Sequence, residues 1–96
     1  MTPPHPPADM PAASRPAAAP TPSLTIDALG RKCPIPIIML AERIREVPVG
    51  QVVAVLADDP AAETDVPAWC MLKSQEFISA TELPVEGWAF LVRRSY

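Results

Sequence analysis

From Leu24 onward the chain changes its hydrophobic spacing several times. Leu24-Thr25-Ile26-Asp27-Ala28 places apolar side chains at every second position, the period of a half-buried strand. Gly30 then permits a turn. From Pro34 to about Val47 the spacing becomes three and four. Ile37, Leu40, Ala41, Ile44 and Val47 line one side, and Glu42, Arg43, Arg45 and Glu46 fill much of the rest. This pattern predicts an amphipathic helix with one buried face, ended by Pro48 and Gly50. Within Gln51 to Ala57, the unbroken apolar run Val52-Val53-Ala54-Val55-Leu56-Ala57 predicts an interior strand. A strand, a helix of this length and a second strand imply a parallel pair joined by a right-handed crossover.

A second helix follows Asp58-Asp59-Pro60, with two candidate starts. Asp59 as cap would put Pro60 at the first helical position, whereas Thr64 or Asp65 as cap would put Pro67 in the first turn. The later start is preferred, because a proline in mid-helix costs about 3 kcal/mol. Val66, Trp69, Cys70 and Lys73 then share a helix face. Phe77 to Leu83 and Trp88 to Arg93 alternate as strands, and the short Pro84-Val85-Glu86-Gly87 connection makes them an antiparallel hairpin. The predicted order is β-α-β-α-β-β. It describes an α/β two-layer sandwich, a mixed four-stranded sheet with two helices on one face.

Composition limits this domain to residues 23–96. Residues 1–22 hold eight prolines and six alanines, with no large aliphatic side chain except Met1 and Met10. Such a segment buries too little apolar surface to offset its ordering entropy and is expected to be a disordered tail. It lacks the basic start and apolar stretch of a signal peptide, and no apolar run in the chain is long enough to cross a membrane. The expected location is therefore the cytoplasm. Asp9 and Arg15 cancel in the tail, so the net charge of −3 belongs to the domain, which argues against a nucleic-acid-binding surface. Cys33 and Cys70 are the two cysteines, and the single histidine, His5, lies in the tail. A structural zinc site or a Cys–His catalytic pair within the domain is not expected, and no cofactor is implied.

The candidate chemistry lies at Gly30-Arg31-Lys32-Cys33-Pro34-Ile35-Pro36, where a strand gives way to a helix. Proline is tolerated in the first helical turn, so Pro34 predicts the helix start and puts Cys33 at or beside the N-cap. Unpaired N–H groups and the helix dipole favour an anion there, and Arg31 and Lys32 add positive charge. Cys33 is thus expected to be a thiolate-forming cysteine of lowered pKa. Cys70, between Trp69 and Met71 on the apolar side of the second helix, is expected to pack. Asp58-Asp59 is expected to cap a turn or helix, not to bind metal or act as an acid–base pair. Lys73, Arg93 and Arg94 are either solvated charges or, with Arg31 and Lys32, a docking surface for an acidic partner.

Three blocks together carry a family resemblance. Asp27-x-x-Gly30-x-x-Cys33-Pro34-x-Pro36, then Ala57-Asp58-Asp59-Pro60-Ala61, then Asp65-Val66-Pro67-Ala68-Trp69-Cys70 closely resemble the TusA/SirA-like sulfur-carrier family. The similarity spans Ser23 to Tyr96 and none of the tail. It implies that Cys33 takes up a sulfane sulfur as a persulfide, with Asp27, Gly30, Pro34 and Pro36 as supporting motif residues; Arg31 and Lys32, by their charge, are expected to be partner-docking residues. It further implies a cysteine desulfurase or rhodanese-type donor and a downstream acceptor protein; from charge and hydropathy, direct nucleic-acid or membrane contact is not expected. Branches of the family serve 2-thiolation of tRNA wobble uridine, molybdenum-cofactor assembly or sulfur oxidation. Many relatives have Gly-His-Glu where this chain has Ser74-Gln75-Glu76, so the branch stays open. Two other classes stand beside the carrier: a redox protein cycling a Cys33–Cys70 disulfide, which lacks the usual Cys-x-x-Cys pair, and a non-catalytic regulatory interaction module.

Overall fold

The computed structural model describes residues 20–96. Its elements are β1 (Leu24–Asp27), α1 (Ile35–Arg43) continued by a 3-10 turn (Ile44–Glu46), β2 (Val52–Ala57), α2 (Ala62–Leu72), β3 (Glu76–Glu82) and β4 (Trp88–Arg93). The expected tail over residues 1–22 lies outside the described residues, save for its last three. The sheet order is β1-β2-β4-β3. β1 runs parallel to β2, with Ile26 opposite Val55, and β4 runs antiparallel to both β2 and β3. The unbroken apolar run of β2 is thus an interior strand. Ile78 is an extra residue in β3 between the Phe77–Val92 and Ser79–Leu91 pairs, a β-bulge.

Both helices cover one face. Leu40, Ile44 and Val47 from the first crossover and Ala62, Val66 and Cys70 from α2 join Ile26, Val53, Val55, Ala57, Phe90 and Val92 in one buried cluster. The alternate residues Val52, Ala54 and Leu91 pack with Ile78 on the other face of the sheet. On α1 the buried stripe is Pro36, Leu40 and Ile44, whereas Ala41, which the spacing placed on that stripe, is exposed.

α2 begins earlier than expected. The Ala61 N–H donates to Asp59 Oδ1 at 3.0 Å, and the Ala62 and Glu63 N–H groups donate to the Asp59 and Pro60 carbonyls at 2.9 and 3.1 Å. These bonds open the helix before Thr64, so the Thr64 or Asp65 start is wrong and Pro67 lies inside. The proline removes the helical donor of the Glu63 carbonyl, and Glu63 is exposed, so that carbonyl is open to solvent. The Ala62, Val66 and Cys70 stripe, buried at every fourth residue, holds the helix in place despite that loss.

Candidate functional site

β1 and β2 end side by side, and the turns leaving them meet. After β1, the Arg31 N–H closes a turn onto the Ala28 carbonyl at 3.1 Å. Gly30 sits at φ +79 within that turn, a conformation that side chains other than glycine disfavour. Asp27 Oδ1 accepts the Leu29 N–H at 3.1 Å and bends the chain out of the strand. A second turn follows, closed by the Ile35 N–H on the Lys32 carbonyl at 2.9 Å, with a cis Cys33–Pro34 peptide within it. Pro34 is the N-cap of α1 and Ile35 its first residue, so Cys33 stands just outside the helix. Pro36 is buried in the first turn.

The β2–α2 turn clamps this loop from the other side. Asp58 Oδ2 accepts the Gly30 N–H at 3.0 Å. Asp59 Oδ2 accepts the Cys33 N–H at 2.9 Å while its other oxygen starts α2. Gly87, in the β3–β4 turn at φ +124, allows that turn to close on Asp58; a Cβ there would lie 2.8 Å from the Ala57 carbonyl oxygen and 3.2 Å from the Asp58 Cβ. Asp59 therefore closes the turn that leads into α2, whose N-cap is Ala61 without a side-chain cap, and Asp58 reaches across to the Gly30 turn. They also hold the main chain on both sides of Arg31-Lys32, a role that the sequence spacing did not reveal. Aspartates paired at a strand end, with a Gly-x-x-Cys turn at the neighbouring strand end, were the available signal.

Cys33 is half-buried and packs against the main core, and Cys70 is buried; both thiols are free. Burial pushes Cys70 up to about 11. Cys33 is also held above the ordinary thiol value of 9.0: partial burial comes first, then the negative charges of Asp65 and Asp59, then a hydrogen bond to Asp65. This corrects the expected lowering. The cations do not prevail, because burial of the thiol comes first and the charges of two carboxylates add to it, while Arg31 and Lys32 are exposed to water. Asp59, by contrast, is stabilised as a carboxylate, first by the Cys33 N–H and then by the Ala61 N–H, with a smaller contribution from Lys32.

Arg31 and Lys32 form no side-chain hydrogen bond or ion pair among the described residues. They line a shallow crevice with Gly30, Asp58, Asp59, Pro60 and Glu86. Arg93 and Arg94 do not join them. They pair with the start of β2 at the far end of the sheet, where Arg93 Nη1 donates to the Gly50 carbonyl at 2.9 Å and Arg94 Nη1 to that of Val47 at 2.7 Å. A single cationic surface is therefore not formed. No group of acidic, histidine or cysteine side chains suited to a metal occurs among the described residues, and none of the described helices is long and apolar enough to cross a membrane.

The family model described as Sulfurtransferase TusA matches residues 24–94, which include every strand and helix. Among solved structures, a SirA-like protein from Desulfitobacterium hafniense is 26% identical, with a TM-score of 0.66 over 76% of this chain and 99% of that one. Fold, motif blocks and family match agree from β1 through β4, and the chain belongs to the TusA family of sulfurtransferases.

Proposed function

We propose that this protein carries sulfane sulfur as a persulfide on Cys33, receiving it from a cysteine desulfurase or rhodanese-type donor and passing it to an acceptor protein. The observation that carries the reading is the pairing of one half-buried thiol on a doubly clamped surface turn with a second thiol buried in the core. In the reaction, Cys33 attacks the terminal sulfur of the donor persulfide. A Cys33–sulfur bond forms, the donor S–S bond breaks, and the donor cysteine leaves as a thiolate. The proton lost from Cys33 balances the one the donor thiolate takes up, so no oxidant, metal or cofactor is consumed. Arg31 and Lys32, exposed beside Cys33, serve as docking charges for the partner. Thiolation of tRNA wobble uridine is one destination that family membership supports, with the carrier meeting proteins and not the RNA, in the cytoplasm.

The test is intact mass without reductant after incubation with a cysteine desulfurase and cysteine. Wild type and Cys70→Ser should gain one sulfur atom that dithiothreitol removes, and Cys33→Ser should gain none. Loss of two hydrogens by the wild type, prevented by either single substitution, would establish a disulfide cycle instead.

A further inference from the structure

A cleft in the helical layer, between the second half of α1 and the end of α2, takes no part in the sulfur chemistry. Trp69 and Tyr96 give it aromatic walls, Ala41 and Ile44 add apolar lining, and Arg45 and Lys73 supply cations. Trp69 is half-buried and Tyr96 is 56% exposed, so both rings offer surface to an occupant. Tyr96 is held in place: its hydroxyl donates to the Lys73 carbonyl at 2.8 Å, and the preceding Ser95 N–H donates to Gln75 Oε1 at 2.6 Å. Arg45 and Lys73 are exposed and form no side-chain hydrogen bond or ion pair among the described residues. At about 290 Å³ the cleft falls just below the range of small-molecule pockets, about 300–1,000 Å³, and suits an extended strip of peptide better.

We propose that residues 3–11 of the same chain dock in this cleft as a polyproline strip. Proline-rich segments bind aromatic-lined grooves because the polyproline II helix is already formed and loses little entropy on binding. Pro3-Pro4-His5-Pro6-Pro7 has the required spacing. With three residues per turn, Pro3 and Pro6 share one edge and Pro4 and Pro7 the next. Asp9, the only acidic residue before Asp27, follows Pro7 by about 6 Å along such a helix and complements Arg45 and Lys73. The reach is ample. The Ser23 N–H donates to the Val52 carbonyl at 2.8 Å, and the neighbouring Gln51 carbonyl accepts the Arg94 N–H at 2.9 Å, two residues before Tyr96. The segment therefore joins the domain at the sheet end that carries the cleft. Crossing the sheet from β1 to β3 takes three strand spacings, about 14 Å, whereas residues 12–22 extend to about 34 Å. A segment too poor in apolar side chains to fold alone can still dock on a preformed surface. Cys33 stands before α1 and the cleft begins at Ala41, so docking leaves the thiol open to its partners.

Nuclear magnetic resonance on the full chain tests this directly. His5 is the single histidine, so its ring gives one signal, and it sits among the prolines that enter the cleft. In the wild type that signal should be displaced from its position in a free peptide of residues 1–11 and show Overhauser contacts to the Trp69 and Tyr96 rings. Replacing Pro3, Pro4, Pro6 and Pro7 together by alanine should return it to the peptide position and move the amide signals of Ala41, Arg45 and Lys73, while those of the Cys33 turn stay put. The free peptide, added to that variant, should restore the wild-type signals at millimolar concentration, the regime that a short tether supplies. A peptide carrying Asp9→Lys should bind about twofold to fivefold more weakly, and Arg45→Glu with Lys73→Glu should reverse that preference. Tyr96→Ala, at an exposed position, should release His5 without unfolding the domain. A wild-type His5 signal at the free-peptide position, or cleft signals unmoved by the four proline substitutions, would overturn the proposal. Contacts that vanish on dilution, with dimers in sedimentation, would put the segment in a second copy's cleft and overturn it as well.

Discussion

Replacing Cys70 by serine should leave sulfur uptake intact and lower stability by about 1–3 kcal/mol. The size follows from where the thiol lies. Cys70 is 1% exposed and belongs to the cluster that contains Val66, Phe90 and Val92. A serine hydroxyl there has no water; its one ready acceptor is the main-chain carbonyl of the preceding helical turn, a bond that sets the lower end of the range. For a domain of this size each kcal/mol is worth about 4–8 °C in Tm, so the melting shift is easily measured. Cys70→Ala, which brings no polar atom, should cost only about 1 kcal/mol. The same burial has a pH signature. With the native thiol pushed up to about 11 against an ordinary 9.0, the folded state keeps a proton that the unfolded chain has released. That contribution is fully present below about pH 9 and is lost between about pH 9 and 11, on the order of 2 kcal/mol. Cys70→Ala should flatten this part of the stability curve relative to wild type. Near pH 8 the buried thiol is ionised about one part in a thousand, so native-state alkylation should mark Cys33 alone. Labelling of Cys70 as fast as Cys33 in the folded protein, or loss of sulfur uptake in Cys70→Ser, would refute the packing role.

Two further substitutions test the turns. Ser74 stands at φ +55 just past α2, where the Gln75 N–H bonds the Cys70 carbonyl at 2.9 Å and the Ser74 N–H that of Met71 at 3.4 Å. This is a Schellman cap with a residue other than glycine at its left-handed position, so Ser74→Gly should stabilise by about 1 kcal/mol in chemical denaturation. Gly87→Ala should destabilise by about 2–3 kcal/mol in the same assay, since the added Cβ would meet the Ala57 carbonyl oxygen at 2.8 Å in a backbone region that strains alanine. It should also loosen Asp58 and, through it, the Gly30 turn; unchanged stability would mean that the β3–β4 turn does not brace the site.

What the sequence determined by itself was everything carried by local period and punctuation. Alternation made β1, the unbroken run of Val52–Ala57 made an interior strand, and a short Gly-ended connection made the β3–β4 hairpin. Motif spacing singled out the Cys33 turn as the candidate site. Tertiary structure decided what depends on the sum of distant interactions. The start of α2 was misread because propensity sees the penalty of Pro67, whereas the burial of Ala62, Val66 and Cys70 that overrides it exists only once the helix lies on the sheet. The ionisation of Cys33 was misread for the same reason. Arg31 and Lys32 are its neighbours in sequence, but Asp59 and Asp65, many residues away, bear on its thiol in space. A charge nearby in the chain can be turned to water and screened, while one brought in by the fold is held in place. The clamp of Asp58 on Gly30 and of Asp59 on Cys33 likewise came into being only when two parallel strands ended side by side.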